Sequence, residues 1–355
     1  MADKLAIVTG AAGFIGSHMV DLLLERGYRV HGIDNLSHGR LPNLQQHHNE
    51  SQFVFENRDV RELRADDVLF RGANYVIHFA GIGDIVPSID KPVDYMSVNV
   101  MGTVRCLEAA RHARANKFVY AASSSCYGAT TQLPTSESAP ICPEYPYALS
   151  KYVGEEAVFH WAKVYHLPVN SIRIFNAFGL RSRTSGAYGA VFGVFLAQKL
   201  AHKPLTVVGD GTQRRDFVYV TDVARAFLAA AETDRTGQVY NVGTGNPQSV
   251  NQLVELIGGP IVRMPKRPGE PDVTWADISK TRTQLGWQPV VQFADAVHLM
   301  LKNIELWRDA PVWDPASIQE ATRSWFAMLA PRSEKGDCPL EDGGTVPFFG
   351  SRKSA

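Results

Sequence analysis

The sequence predicts an α/β protein with a doubly wound parallel sheet, followed by a smaller substrate-binding α/β domain. Short apolar runs alternate with helical patterns over residues 5–175, which is typical of a parallel sheet with helices on both faces. The first apolar run leads directly into a glycine-rich turn and a helical stretch, and dinucleotide-binding sheets begin in this way. These observations predict a Rossmann-like domain at the start of the chain.

The glycine-rich turn follows the first predicted strand, Leu5–Thr9, and has the pattern Gly-x-x-Gly-x-x-Gly. Glycines permit a tight turn and a close approach of the backbone to a pyrophosphate, whose charge then faces the helix N-terminus. The alternative is that these glycines only make turns. The residues of this segment that we expect to contact the cofactor are Gly10, Gly13, Phe14, Ile15 and Gly16.

The second predicted strand ends at Asp34, which lies 18 residues after Gly16. A carboxylate at this place accepts hydrogen bonds from the adenosine ribose and repels a 2′-phosphate. The sequence therefore favours NAD over NADP. Asn35 follows and is included in the expected cofactor site. The alternative is that Asp34 is an ordinary loop acid.

Three further strands are predicted at residues 53–55, 75–79 and 118–122, and the segments around them complete the expected cofactor site. The acid after the third strand could face the adenine, and small residues after the fourth let a cofactor pass over the strand ends. Core packing or helix capping is the alternative for each. The assigned residues are Asp59, Val60, Phe79, Ala80, Gly81 and Asn99, the last near the start of a helical pattern at 98–115.

Tyr147 and Lys151 lie four residues apart in a predicted helix that Pro146 opens. That spacing places both side chains on one face. An ammonium beside a phenol favours the phenolate and lowers its pKa from about 10, so that it can take a proton from a substrate hydroxyl. Alone, this pattern is usually an exposed helix face, so its meaning depends on the nucleotide site upstream.

The second half of the chain carries features of a substrate site. A sixth predicted strand ends at Asn176, and residues 179–193 are rich in Gly, Ser, Arg and aromatic residues, as ligand-shaping loops are. Two separate loops contain Arg215 and Arg267, which suggests two anchors for a diphosphate, although ordinary solvated arginines are the alternative.

We expect residues 1–175 to form the NAD-binding domain and residues 176–330 the substrate domain. The two are expected to interleave, because 238–243 reads as a strand that could rejoin the sheet. The polar, glycine-rich segment 331–355 is expected to be disordered.

Composition excludes several classes of protein. Lys+Arg and Asp+Glu number 36 each, so no bulk charge indicates nucleic acid or a membrane surface, and no apolar run reaches membrane-spanning length. The four cysteines show no paired spacing, and we expect them to be reduced thiols of a cytoplasmic protein without a metal site.

Taken together, these motifs resemble those of the extended short-chain dehydrogenase/reductase family over roughly residues 4–330. The chain looks most like the UDP-sugar 4-epimerases within it. The motifs that carry the resemblance are TGAAGFIG (9–16), DNL (34–36), HFAG (78–81), SSSCYG (123–128), YALSK (147–151), RIFN (173–176), GDGTQRRD (209–216) and RPGE (267–270).

The resemblance implies an NAD-dependent isomerase that acts on a nucleotide sugar, with a UDP-sugar or another NDP-sugar as its partner. Tyr147 would be the base, Lys151 would tune it and hold the nicotinamide ribose, and Ser123 matches the catalytic Ser/Thr of the family. The residues that match the holders of the nucleotide diphosphate are Asn176, Arg215 and Arg267.

Ser124 and Ser125 are expected at the sugar, and they separate the chain from related enzymes. By the same resemblance, sugar 4,6-dehydratases carry Asp and Glu at these places, and UDP-glucuronate decarboxylases carry Glu at the second. Neither serine can act as a carboxylate base. A GDP-sugar 3,5-epimerase stays open as an alternative because Cys126 stands close to the position of the cysteine in those enzymes. A nucleotide-sensing or scaffold protein is the non-enzyme alternative.

Thr274 and Asp84 bear on the size of the sugar. By resemblance, Thr274 stands where epimerases restricted to UDP-glucose and UDP-galactose carry Tyr, which predicts that the N-acetyl pair is also accepted and that Thr274→Tyr abolishes only this second activity. Simple packing is the alternative. Asp84 is expected to accept sugar hydroxyls or to pair with Arg181 or Arg183.

The helical patterns at 98–115 and 147–165 are apolar nearly all round. We therefore expect a homodimer through a bundle of these two helices from each subunit, unless other helices of the same chain cover them.

Overall fold

The computed structural model describes residues 4–182 and 190–329. The predicted tail at 331–355 and part of the predicted ligand loop, residues 183–189, lie outside these ranges. The strands are β1 Leu5–Thr9, β2 Arg29–Asp34, β3 Phe53–Asn57, β4 Ala73–His78, β5 Lys117–Ser123, β6 Val169–Ile174, β7 Asn176–Phe178, β8 Leu205–Val208, β9 Arg214–Arg215, β10 Phe217–Tyr219, β11 Gln238–Val242, β12 Gln248–Ser249 and β13 Ile261–Met264.

The helices alternate with these strands along the first half of the chain. They are α1 Phe14–Glu25, α2 Pro92–Tyr95, α3 Gly102–His112, α4 Pro146–Tyr165, α5 Val191–Leu200, α6 Val220–Glu232, α7 Val250–Ile257, α8 Ser279–Leu285, α9 Phe293–Lys302, α10 Pro315–Ala321 and α11 Arg323–Leu329. A π-helical segment, Met96–Met101, joins α2 to α3.

The central sheet has seven strands in the order β11-β6-β5-β4-β1-β2-β3. Its strand pairs are parallel, and the order reverses at β1, so the carboxyl ends of β1 and β4 open a crevice at one edge. This arrangement confirms the predicted doubly wound α/β fold. The strand predicted at 238–243 lies beside β6 as β11, so the chain returns to the first sheet after its substrate segments begin.

Apolar side chains cover both faces of the sheet. α1 and α6 pack side by side on one face, where Met19 and Phe227 are fully buried. α3 and α4 cover the other face, where Leu107 and Val158 are buried against β5. A separate cluster lies among α5, β8, α7 and α9 and forms the core of the smaller part. The division at residue 175 stays a prediction.

Two expectations from the sequence need correction. The helix expected over 98–115 begins with π-helical winding through Met101, and regular α-helix begins at Gly102. Cys106 and Cys126 are buried free thiols, whereas Cys142 is disulfide-bonded, so the expectation of reduced thiols is wrong for Cys142.

Candidate active site

The turn between β1 and α1 is a cradle into which no side chain would fit. Gly10 has φ +71°, and a Cβ added to it would lie 2.8 Å from the amide nitrogen of Ala80. A Cβ on Gly16 would lie 2.0 Å from the carbonyl oxygen of Gly10. Gly13 precedes α1 and brings no side chain to cap its first turn, so the helix N-terminus can face an anion.

A cavity of about 650 Å³ runs from this turn along the carboxyl ends of the sheet. Most of the predicted cofactor residues line it together with Tyr147 and Lys151. The predicted residues that line it are Gly10, Gly13, Phe14, Ile15, Gly16, Asp34, Asn35, Asp59, Val60, Phe79, Ala80, Gly81, Asp84, Tyr147 and Lys151. The cavity thus combines a glycine-rich turn, the carboxylate of Asp34 and the phenol of Tyr147, and this combination fits a dinucleotide.

Asp34 closes β2 and lines the cavity. Its carboxylate accepts the backbone N–H of Ala12 at 3.0 Å and that of Leu36 at 2.8 Å. Burial raises the pKa of Asp34, and these backbone hydrogen bonds oppose the rise. A Cβ on Gly39 would lie 2.7 Å from the carboxylate, so the loop after β2 holds this group in a fixed place.

Asp59 lies in a small polar cluster that lines the cavity. Arg61 donates to its carboxylate from Nε at 2.9 Å and from NH2 at 2.7 Å, and Asn35 donates at 2.9 Å. The hydrogen bonds from Arg61 are the main cause of a pKa near 2 for Asp59. Arg61 lines the cavity and was not predicted, because no motif distinguishes it from other surface arginines.

Tyr147 lies in the first turn of α4, near Ser123 at the end of β5. Burial raises the pKa of Tyr147, and the neighbouring Ser123 only partly opposes this rise. Burial also lowers the pKa of Lys151 to about 7, and its Nζ lies 4.5 Å from the centre of the Tyr120 ring. The expected lowering of the Tyr147 pKa by Lys151 is therefore not found here, because burial raises this pKa.

Asn99 does not line the cavity. Its side chain accepts the N–H of Ile82 at 2.8 Å and donates to Ser150 Oγ at 2.9 Å, which ties the loop after β4 to α4. Gly81 leaves room for this contact, since a Cβ there would lie 2.8 Å from the Asn99 side-chain oxygen. The geometry gives Asn99 an indirect role, through the loop, toward any cofactor.

The two predicted arginine loops meet at Glu270. Its carboxylate lies 3.0 Å from NH2 of Arg267 and 3.8 Å from NH2 of Arg215. Burial is the main cause of a lowered pKa for Arg215. The sequence predicted both arginines, but it did not indicate that a carboxylate lies between them.

Thr274 contacts another predicted substrate residue instead of lining the cavity. Its hydroxyl donates to Asn176 Oδ1 at 2.7 Å and accepts the N–H of Asp216 at 3.2 Å. This contact orients the Asn176 amide, so that Nδ2 is the group turned toward other partners. The geometry favours the packing alternative for Thr274 over the size argument.

Asp84 lines the cavity and lies 3.8 Å from Nε2 of His38. Of the two arginines considered for it, Arg181 pairs with Asp21 at 2.8 Å, and Arg183 lies outside the described ranges. Ser124 and Ser125 form the short turn after β5, beside Ser123.

Neither a metal site nor a membrane-spanning helix is found in the described part of the chain. Residues 4–182 and 190–329 contain no group of three or more His, Cys, Asp or Glu side chains placed to hold a metal ion. In the same ranges, no helix is both long and apolar enough to cross a membrane.

The comparison with family models gives the class of protein. Residues 7–300 match the model described as GDP-mannose 4,6 dehydratase, and the chain belongs to the extended short-chain dehydrogenase/reductase family, as the motifs predicted. A curated relative, the UDP-glucose 4-epimerase of Mycolicibacterium smegmatis, is 37% identical over 311 residues, which cover 85% of this chain and 98% of the relative.

Two solved structures are similar over nearly their whole length. The UDP-glucuronic acid 4-epimerase from Bacillus cereus, in complex with UDP-glucuronic acid and NAD, is 33% identical with a TM-score of 0.79 and covers 85% of this chain and 99% of its own. The UDP-glucose 4-epimerase from Thermotoga maritima, with UDP-glucose, is 31% identical with a TM-score of 0.78 and covers 86% and 99%. The NAD of the first structure agrees with the predicted cofactor.

Proposed function

We propose that this protein is an NAD-dependent UDP-sugar 4-epimerase, an isomerase that inverts C4 through a 4-keto sugar. One observation carries the proposal: Tyr147 and Lys151 line the same cavity as the glycine turn, with Ser123 near Tyr147, while serines occupy positions 124 and 125. The first three residues suit removal of a hydroxyl proton. The serines leave no carboxylate there to eliminate water.

The glycine turn and Asp34 would hold NAD, with the diphosphate at the N-terminus of α1 and the adenosine ribose at the carboxylate. When bound, NAD supplies a hydride acceptor and donor for C4 of the sugar. Lys151 lines the same cavity and would hold the nicotinamide ribose.

Tyr147 accepts the proton of the C4 hydroxyl while C4 loses its hydride, and a 4-keto sugar forms. Ser123 hydrogen-bonds the C4 oxygen and keeps the proton path short. The ketone then presents its other face, hydride returns to C4, and Tyr147 returns the proton to the oxygen. The sugar gains and loses one hydride and one proton, so the net redox change is zero.

Asn176, Arg215 and Arg267 would hold the diphosphate of the UDP-sugar. The contact of both arginines with Glu270 supports this, because it places two guanidinium groups on one carboxylate, within reach of a dianion. We propose UDP-glucose and UDP-galactose as substrates, with the N-acetyl pair also accepted. Because Thr274 contacts Asn176, the acceptance of the N-acetyl pair is supported only by the resemblance and not by the position of Thr274.

The alternative of a GDP-sugar 3,5-epimerase is disfavoured by Cys126. A second epimerisation centre would need this thiol to exchange protons, but the side chain is only 2% exposed. Burial also raises its pKa to about 12. It is therefore a core residue and not an acid–base group.

We also propose a homodimer. Met101 is 53% exposed and Leu149 is 40% exposed, and both belong to the two helical stretches that were expected to form the bundle. Two further exposed apolar residues, Val164 and Tyr165, lie in the last turn of α4, at the other end of the helix from Leu149.

The experiment is to incubate the purified protein and NAD with UDP-glucose, UDP-N-acetylglucosamine, UDP-glucuronic acid and GDP-mannose, and to identify products by NMR. UDP-galactose from UDP-glucose is the expected result. A 6-deoxy-4-keto product would indicate a dehydratase instead, and no product from any sugar would support the non-enzyme alternative.

A further inference from the structure

The C-terminal helices α10 and α11 lie beyond residue 300, where the match to the family model ends. They are nevertheless part of the packed molecule, because Ile318 of α10 and Trp325 of α11 are both buried. The proposed chemistry gives neither helix a role. Trp325 is the residue through which α11 reaches the proposed site.

Trp325 contacts two segments of the site at once. Its ring packs on that of Tyr145, the N-cap residue of α4, with 5.2 Å between the ring centres. Its indole N–H donates to the carbonyl of Pro268 at 2.9 Å. Tyr145 stacks in turn on Tyr147, with 9° between the planes and 6.5 Å between the ring centres. One side chain therefore links the start of the catalytic helix to the loop that carries Arg267.

The loop that joins β13 to α8 carries both Arg267 and Glu270. Backbone hydrogen bonds hold its two ends, since the carbonyls of Met264 and Asp272 each accept an N–H at 2.8 Å. The bond from Trp325 is made between these ends, at the residue directly after Arg267. It therefore restrains the backbone beside one of the two proposed diphosphate anchors.

Leu329, in the last turn of α11, packs against the same loop. A Cβ added to Gly269 would lie 3.7 Å from Leu329 Cδ1 and 3.5 Å from Glu144 Oε2. The backbone of Gly269 thus lies between α11 and the residue that precedes Tyr145. Glu144 is itself held in place, because its carboxylate accepts the N–H of Ala129 at 3.0 Å.

We propose that Trp325 is a positioning residue that holds the loop of Arg267 against the start of α4. It thereby sets the place of the diphosphate anchor relative to Tyr147. A loop that is held in its binding conformation before the ligand arrives loses less conformational entropy on binding. The ligand, a nucleoside diphosphate sugar, rests on the proposed function, whereas the restraint on the loop does not.

The experiment compares the wild type with Trp325→Phe in the NAD-bound protein. Phenylalanine keeps an aromatic ring against Tyr145 but cannot donate to Pro268. Trp307→Phe is the matched control, because Trp307 is also buried, lies in the core of the smaller part, and its indole nitrogen has no hydrogen-bond partner among the described residues. The measurements are amide hydrogen exchange over residues 265–271, the Kd of UDP by calorimetry, and steady-state constants for UDP-glucose.

Trp325→Phe should speed exchange over residues 265–271 and raise the Kd of UDP about fivefold, as the loss of one net hydrogen bond implies. The KM for UDP-glucose should rise by the same factor. The kcat and the Kd of NAD⁺ should stay unchanged, because Tyr147 and the cofactor cavity keep their contacts. Trp307→Phe is expected to lower the urea midpoint but to leave loop exchange and the Kd of UDP unchanged.

Unchanged loop exchange or an unchanged Kd of UDP in Trp325→Phe, in a protein that epimerises UDP-glucose, would overturn this inference and leave the proposed function intact. Equal changes in Trp325→Phe and Trp307→Phe would also overturn it, because they would show a general loss of stability. Faster exchange with a raised Kd of UDP, in a protein that converts none of the sugars, would support the inference and contradict the proposed function. If Trp325→Phe does not fold, Leu329→Ala, which removes the packing on Gly269, decides by the same measurements.

Discussion

At the scale of single residues, the environment of Tyr147 differs from the one that its spacing to Lys151 suggests. Both side chains are enclosed, so desolvation raises the pKa of the phenol and lowers that of the ammonium to about 7. The pattern Tyr-x-x-x-Lys identifies the two groups but contains no information on their burial.

The first prediction concerns the base. Tyr147→Phe removes the proton acceptor and keeps the ring, and we expect turnover to fall at least about a hundredfold. Ser123→Ala should cost less, because water can replace its hydrogen bond. Steady-state rates on UDP-glucose test both, and a larger loss in Ser123→Ala would reverse the assigned roles.

The second prediction concerns the cofactor. Asp34 should make the protein bind NAD⁺ in preference to NADP⁺, because the carboxylate repels a 2′-phosphate. Asp34→Ser should reduce the ratio of the affinity for NAD⁺ to the affinity for NADP⁺, as measured by calorimetry. Asp210→Ser, which changes an exposed acid outside the cavity, is the control, and equal affinity of the wild type for the two cofactors would contradict the role of Asp34.

The third prediction replaces the size argument for Thr274. Thr274→Val keeps the shape but removes the hydrogen bond to Asn176, so KM should rise several-fold, as the loss of about 1 kcal/mol implies. The rise should be equal for UDP-glucose and UDP-N-acetylglucosamine. A change in the ratio of the two activities would show that the Thr274 side chain contacts the 2-acetamido group, and would contradict this prediction.

At the scale of elements, α4 is joined to β6 by a buried ion pair. Arg173 NH2 lies 2.5 Å from Glu155, and Ser171 donates to the same carboxylate at 2.7 Å. The sequence could place both elements by their periodicity, but it could not show which polar residues pair inside. The π-helical winding before α3 was missed likewise, because it depends on Asn99 reaching Ile82 and Ser150.

The fourth prediction tests this pair. Glu155→Gln leaves the guanidinium of Arg173 buried without its counter-charge, and we expect the free energy of unfolding to fall by about 3 kcal/mol. Glu305→Gln, which breaks the exposed pair with Arg308, should leave the urea midpoint unchanged. Equal midpoints for the two variants would mean that the buried pair does not hold α4 in place.

At the scale of the whole molecule, the alternation of strands and helices was enough to predict the sheet, because each parallel strand needs a crossover helix. The domain limits were harder to predict than the sheet, because β11 comes from the second half of the chain and pairs with β6 in the first sheet. Arg215 and Arg267 both contact Glu270. Their segments are far apart in sequence, so this contact could not be predicted from the sequence.

The fifth prediction concerns assembly. Leu149→Asp and Met101→Asp should convert a dimer to a monomer in light scattering at micromolar concentration, because each places a charge in the proposed helix bundle. Leu299→Asp is the control, because Leu299 has the same 40% exposure as Leu149 but lies on α9. A monomeric wild type would remove the basis of this prediction.

The most direct test of the central claim follows the hydrogen at C4. UDP-glucose carrying deuterium at C4 is converted in ordinary water, and the product is examined by NMR. Because the same hydride leaves and returns, the account predicts UDP-galactose that retains deuterium at C4. Loss of the label to solvent would contradict hydride transfer, and its appearance at C6 would contradict epimerisation in favour of dehydration.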